Sequence, residues 1–149
     1  MDERWYLIIA LLIAVALFLI LWGLRRMRPK AADPYEDMEG RDFEFYCAEL
    51  LKRRGFIGVE VTKGSGDFGI DILAEKDGIT YGFQCKCYDT VVGVHAVQEA
   101  YAGRDYYDLM VAGVITNQYF TEPAVKAAKK LKIMLWDRDY IDEDYFDKE

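Results

Sequence analysis

Gly64-Ser65-Gly66-Asp67-Phe68-Gly69-Ile70-Asp71 leads into one short apolar stretch, and Gln84-Cys85-Lys86 closes the next. Between them, Lys76-Asp77-Gly78 carries the Asp-Gly pair that favours a tight two-residue hairpin. Ile70 to Glu75 and Thr80 to Cys87 therefore read as two antiparallel strands. Side chains alternate across a strand, so Gly82, Gln84 and Lys86 share one face and Tyr81, Phe83, Cys85 and Cys87 the other. Counting outward from the turn sets Asp71 near Gln84 and Lys86. A carboxylate, a carboxamide and an ammonium thus converge on one side of a hairpin, behind a glycine-rich loop.

Upstream, Met38, Phe43, Phe45, Tyr46, Leu50 and Leu51 recur at helical spacing from about Glu39 to Arg54, with Gly55 as the stop. Ile57, Val59 and Val61 alternate with Gly58, Glu60 and Thr62, which predicts a first strand. Downstream, Val94 to Leu109 reads as a helix weakened at Gly103, and Met110 to Ile115 as a strand. Thr121 can cap a helix that tolerates Pro123 in its first turn and presents Ala124, Val125, Ala128 and Leu131. Ile133 to Trp136 is a last strand. The order α-β-β-β-α-β-α-β predicts an α/β fold without regular βαβ alternation.

Phosphodiester hydrolysis needs the groups that the hairpin gathers. A hard cation such as Mg²⁺, or Mn²⁺ in its place, takes oxygen ligands: Asp71, the Gln84 side-chain oxygen and a nearby backbone carbonyl, that of Cys85. Lys86 would orient or help deprotonate the attacking water and offset charge in the transition state. Glycines 64, 66 and 69 leave room for close backbone approach. Taken alone, Asp71 could equally cap a strand, and Lys86 could be a solvated edge residue.

Together with Thr116-Asn117, Phe120-Thr121 and Ala124, the glycine loop, Asp71 and Gln84-Cys85-Lys86 resemble the Mrr-like restriction endonuclease domain. That domain belongs to the PD-(D/E)XK nuclease superfamily, here in its Gln-x-Lys variant, and the resemblance covers about Glu39 to Tyr140. It implies a restriction-endonuclease-like central mixed sheet flanked by helices. It also implies an active site of Asp71, Gln84 and Lys86, joined by Glu44 on the first helix as a metal-side carboxylate. The implied activity is Mg²⁺-dependent DNA endonuclease in defence against foreign or modified DNA. Gln84 replaces an acid of the superfamily pattern, which weakens the metal site, with Glu44 as compensation.

The N-terminus reads differently. Trp5 to Leu24 holds no charge over twenty positions, enough at about 1.5 Å per residue to cross a bilayer core of roughly 30 Å. Arg25, Arg26, Arg28 and Lys30 follow it, against Arg4 alone before it, so the positive-inside bias puts the C-terminal part in the cytoplasm. A cleaved signal peptide would have its basic residues first. Residues 1–30 are therefore expected to be a transmembrane anchor, 31–38 a linker, 39–140 the catalytic domain and 141–149 an acidic, frayed tail.

Charge restrains the DNA reading. Residues 33–149 carry 14 basic and 24 acidic side chains, a net of −10, with seven of the acids in the last thirteen positions. Phosphate attraction must then come from a local patch and a metal ion. The same charge favours the competing reading, a catalytically inactive, membrane-tethered module that binds nucleic acid or protein. A structure-specific nuclease acting on junctions or ends is a third. Cutting both strands would need a homodimer. Cys47, Cys85 and Cys87 read as small buried residues in a reducing compartment rather than a zinc site with His95. His95 reads as structural, Gln98 is left open between a supporting contact to the site and no role in it, and Tyr101, Tyr106, Tyr107 and Tyr119 read as half-buried core residues or base-stacking rings.

Overall fold

The computed structural model describes residues 3–26, 33–64, 66 and 68–146. The chain divides after Asp33 into two compact units. The first contains α1 (Glu3–Arg26), 24 residues of continuous helix. The membrane span expected over residues 5–24 lies partly outside the described residues, and among the described residues no helix is long and apolar enough to cross a membrane. Side chains 7, 8, 10, 23 and 24 of the uncharged run lie outside the described residues. Arg28 and Lys30 also lie outside the described residues.

The second unit begins with Pro34. Tyr35, expected in a linker, is buried in the core beside Phe43, and its ring meets those of Phe43 and Tyr46 edge-on. α2 (Gly40–Arg53) follows, then β1 (Ile57–Val61), β2 (Ile72–Lys76), β3 (Ile79–Lys86), α3 (Val94–Tyr106), β4 (Val111–Thr116), α4 (Glu122–Leu131), β5 (Ile133–Trp136) and α5 (Arg138–Phe146). The five strands form one sheet in the order β1-β2-β3-β4-β5. β1, β2 and β3 pair antiparallel, whereas β3, β4 and β5 pair parallel. The sheet is mixed and flanked by helices, as expected.

Local chemistry explains the key elements. Asp77 and Gly78 both adopt positive φ, 54° and 75°, the geometry a two-residue primed turn requires. That turn sets Lys76 against Ile79 and Ile72 against Phe83. Thr121 caps α4 by accepting a hydrogen bond from the Ala124 N–H, with Pro123 in the first turn. α3 runs unbroken through Gly103, where a Cβ would lie 2.5 Å from Ile70 Cγ1 and 2.7 Å from the Phe68 carbonyl oxygen. The glycine is a contact point rather than a weak point.

The sheet carries a different core on each face. Phe43, Cys47, Leu50 and Leu51 of α2 pack with Phe56, Ile72, Phe83, Ile115 and Trp136. Ala96, Val97 and Ala100 of α3 and Ala124 and Ala128 of α4 pack with Ile70, Ala112, Val114 and Ile133. The C-terminal segment expected to fray is instead α5, and Ile141 is fully buried in the first core. One apolar side chain among many acids suffices to seat the helix.

Candidate active site

Asp71 lies just before β2 and is 6% exposed; Gln84, also 6% exposed, lies beside it on β3. The Asp71 N–H donates to the Phe83 carbonyl (2.8 Å), while the Thr62 N–H donates to the Asp71 carbonyl (2.8 Å). The backbone is thus pinned between both neighbouring strands' chains. Asp71 Oδ2 accepts from Gln84 Nε2 and from the Cys85 N–H, each at 2.6 Å. A carboxylate only accepts, so this contact fixes which end of the Gln84 amide faces it. Gln84 Oε1 is buried and has no hydrogen-bond partner among the described residues.

Lys86 is next on the same face of β3. Its Nζ stands 2.7 Å from Glu99 Oε2, and His95 Nδ1 lies 3.2 Å from Glu99 Oε1. Burial alone would lower the lysine's pKa; the Glu99 hydrogen bond and charge, with smaller help from Tyr88 and Asp71, outweigh it and hold the pKa above the ordinary value. Lys86 is a cation in this arrangement. The strand beyond it is fixed by Asn117, whose Oδ1 accepts from the Tyr88 N–H (2.9 Å) and whose Nδ2 donates to the Tyr88 carbonyl (3.0 Å).

Glycine makes this assembly compact. Gly69 has φ +85°, and a Cβ there would lie 2.6 Å from the Glu99 carbonyl oxygen. Only glycine allows the loop before Asp71 to touch the α3 backbone at the turn that presents Glu99.

Glu44 comes from α2, in the other layer of the fold. Its Oε2 pairs with Arg41 Nη1 at 2.6 Å, and the same nitrogen donates to the Thr62 carbonyl at 2.8 Å. Glu44 therefore reaches the same end of the sheet, with its carboxylate engaged by arginine. Cys85 points toward α2, and its thiol is pushed well above the ordinary cysteine pKa by burial first, then by Cys47, Asp71 and Glu44. A thiol so protonated is a poor metal ligand. Among the described residues no cluster of three or more His, Cys, Asp or Glu side chains could hold a metal ion.

The structure brings Asp71, Gln84 and Lys86 together and adds Glu99, which the sequence reading passed over for Gln98. Gln98 is exposed. The phase of α3 is set by small residues, Ala96, Ala100 and Gly103, which bury beside Val97. The apolar residues Val94, Val97 and Tyr101 alone do not give that phase. The pairing of His95 and Glu99 one turn apart was the available signal.

The family model Mrr_cat, described as restriction endonuclease, matches residues 35–143. The chain belongs to this restriction endonuclease family. Among solved structures it is similar to the protein of unknown function AF1548, at 22% identity and a TM-score of 0.58, covering 69% of this chain and 65% of that one. It is similar to the DNA modification-dependent restriction endonuclease AspBHI, at 16% identity and a TM-score of 0.52, covering 66% of this chain and 29% of that one. MspJI restriction endonuclease, solved in complex with a 27-mer oligonucleotide, shares 15% identity at a TM-score of 0.50, over 76% of this chain and 31% of that one. These structural likenesses show a shared fold alone. The chain spans less than two thirds of each of these three proteins. No curated protein matches it.

Proposed function

We propose that this chain is a metal-dependent DNA endonuclease that hydrolyses phosphodiester bonds through Asp71, Gln84 and Lys86. The observation that carries the reading is the buried Gln84 Oε1, which lacks a hydrogen-bond partner among the described residues beside a carboxylate. Leaving such an acceptor unsatisfied costs about 1–3 kcal/mol, and a cation or donor arriving with substrate would recover it. The donor set is all oxygen and fits a hard divalent ion, Mg²⁺ or Mn²⁺. Asp71 and Gln84 would hold it, with the Cys85 carbonyl as a further oxygen. Glu44 would contribute only by giving up Arg41. When bound, the ion supplies Lewis-acid polarisation of the phosphate and a more acidic water.

Lys86 acts as a charge rather than a base. Its ammonium, held by Glu99, donates hydrogen bonds to phosphate oxygens or to the attacking water and offsets negative charge as it develops. Glu99 is the positioning group, with His95 on its other oxygen.

Cleavage of methylated and unmethylated plasmid by the full chain with Mg²⁺ or Mn²⁺ tests this, beside Asp71→Ala and Lys86→Ala. Each substitution should lower the rate by about 10²–10³-fold. Equal cutting by the variants overturns the site assignment. A folded wild type that binds DNA or protein but cuts nothing favours the non-catalytic module, which the net charge of −10 over residues 33–149 also favours. A preference between the two plasmids reads out the proposed role in restricting foreign or modified DNA. Cutting both strands takes two copies of one site, so a homodimer on DNA is expected. A monomeric mass in analytical ultracentrifugation with DNA present would count against that.

The proposal also includes attachment to a membrane through the N-terminal helix, with the catalytic unit on the cytoplasmic side. Its support is the uncharged run Trp5 to Leu24 and the basic cluster after it. Retention of the full chain in alkali-washed membranes is the expected result, and release into the supernatant would overturn it.

A further inference from the structure

Two exposed rings stand on the segments that build the site. Phe68 and Tyr106 stack with centroids 3.7 Å apart and planes 20° from parallel, yet 54% of Phe68 and 56% of Tyr106 remain open to solvent. Tyr107 supports Tyr106 edge-on, 5.0 Å away at 82°. Phe68 lies three residues before Asp71 on the glycine loop. Tyr106 lies two turns beyond Glu99 on α3. The two segments touch through Gly69 against the Glu99 carbonyl and Gly103 against the Phe68 carbonyl. The ring pair is thus tied to Asp71 through one segment and to the partner of Lys86 through the other.

Folding alone supplies only the ring pair's own attraction, about 0.5–1.5 kcal/mol, as a reason for this arrangement. Phe68 has φ 49°, a region that costs a bulky residue about 1–3 kcal/mol, and its ring gains little burial in return. A glycine there would remove the strain. DNA supplies a reason. The chain carries a net charge of −7, so general attraction to phosphates is weak. Stacking of a base on an aromatic ring contributes about 1–3 kcal/mol and needs no net charge. In a continuous duplex, however, both faces of each base are covered by its neighbours. A ring platform can be used only by a base that has left the stack.

We propose that Phe68 and Tyr106 form a base-stacking platform on the segments that build the cleavage site, about 10 Å along α3 from Glu99, and that the DNA taken there presents an unstacked nucleobase near the scissile phosphate. A single strand, a frayed end and a flipped or bulged base share that chemistry. The inference rests on the nuclease reading for its substrate, and its test separates the two.

The probe is DNA carrying 2-aminopurine, as a single strand, as a fully paired duplex and as a duplex with one unpaired internal base. Binding to the full chain is measured in EDTA, where cleavage plays no part; cleavage is then measured with Mg²⁺. Wild type should quench the fluorophore in the single strand and at the unpaired base, and bind both more tightly than the paired duplex. Phe68→Ala and Tyr106→Ala should weaken that binding by about 5–150-fold and abolish the quenching. Phe68→Leu keeps apolar bulk without a ring and should behave as Phe68→Ala does, while circular dichroism reports that each variant is folded. Unchanged quenching in the folded variants overturns the platform, as does cleavage of the single strand and of the unpaired-base duplex by Phe68→Ala at the wild-type rate. Quenching without any cleavage overturns the hydrolysis reading and leaves the platform standing.

Discussion

The two faces of the sheet solve different problems. On the α2 side, Phe56, Tyr81, Phe83 and Trp136 form a thick aromatic layer in which Phe83 meets Phe56 at 5.9 Å and Trp136 at 5.2 Å. On the α3 side the buried residues are alanine, valine and isoleucine, and glycines 69, 82 and 103 let elements approach until a methyl group would collide. The first face fills volume. The second trades volume for proximity, and proximity is what sets Glu99 against Lys86 and the glycine loop against α3. The proposed chemistry sits on the face with the smaller residues because groups that must meet within 3 Å need backbones that are close.

Phe83→Ala attacks the first face directly. The ring is fully buried, so its loss should cost about 3–5 kcal/mol in transfer and cavity terms. A urea titration of the full chain measures it, and a cost below about 1 kcal/mol would mean that the aromatic layer is not the main source of stability.

Gly103→Ala attacks the second face, and two effects of opposite sign decide its outcome. Alanine favours a helix over glycine by about 1 kcal/mol, but its methyl would press on Ile70 and the Phe68 carbonyl, an overpacking cost of about 1–3 kcal/mol. A net loss of about 0–2 kcal/mol is expected. Because the displaced atoms belong to the loop before Asp71, cleavage should fall by more than stability does. Equal losses in rate and stability, read from plasmid cleavage and urea midpoints, would remove the distinction between the faces.

The same contrast explains what the sequence made legible. Strand alternation and the Asp77-Gly78 turn fix hairpin register with few alternatives, so Asp71, Gln84 and Lys86 could be placed together from the chain alone. A helix facing a sheet has no such constraint. Its phase depends on which side chains are small enough to approach, and Glu99 was missed by one position for that reason. Glu44 was placed on the right helix, but its pairing with Arg41 depends on where the Thr62 carbonyl falls, a tertiary fact. At the C-terminus, seven acids suggested a solvated tail. Ile141, seated in the aromatic layer, outweighs them because burying one such side chain contributes about 1.5–3 kcal/mol.

Tyr35 joins that last helix to the first face and gives the smallest expected effect. Its hydroxyl donates to Asp142 Oδ1 at 2.7 Å, and burial, followed by this hydrogen bond, pushes the phenol well above the ordinary tyrosine pKa. The folded state therefore holds the proton more tightly than the unfolded chain. That contribution is fully present below about pH 10, the unfolded value, and is lost as pH rises above it. Tyr35→Phe should cost about 1 kcal/mol near pH 8, since Arg138 Nε remains 3.5 Å from the Asp142 carboxylate. Lys86 and Cys85 titrate in both proteins and cancel in the difference. The gap between wild type and Tyr35→Phe should accordingly shrink between about pH 8 and pH 11. Urea midpoints of the two proteins at those values test it: a gap that stays constant would mean that the phenol ionises in the folded state as readily as in water, and that α5 is not held to the aromatic face through this bond.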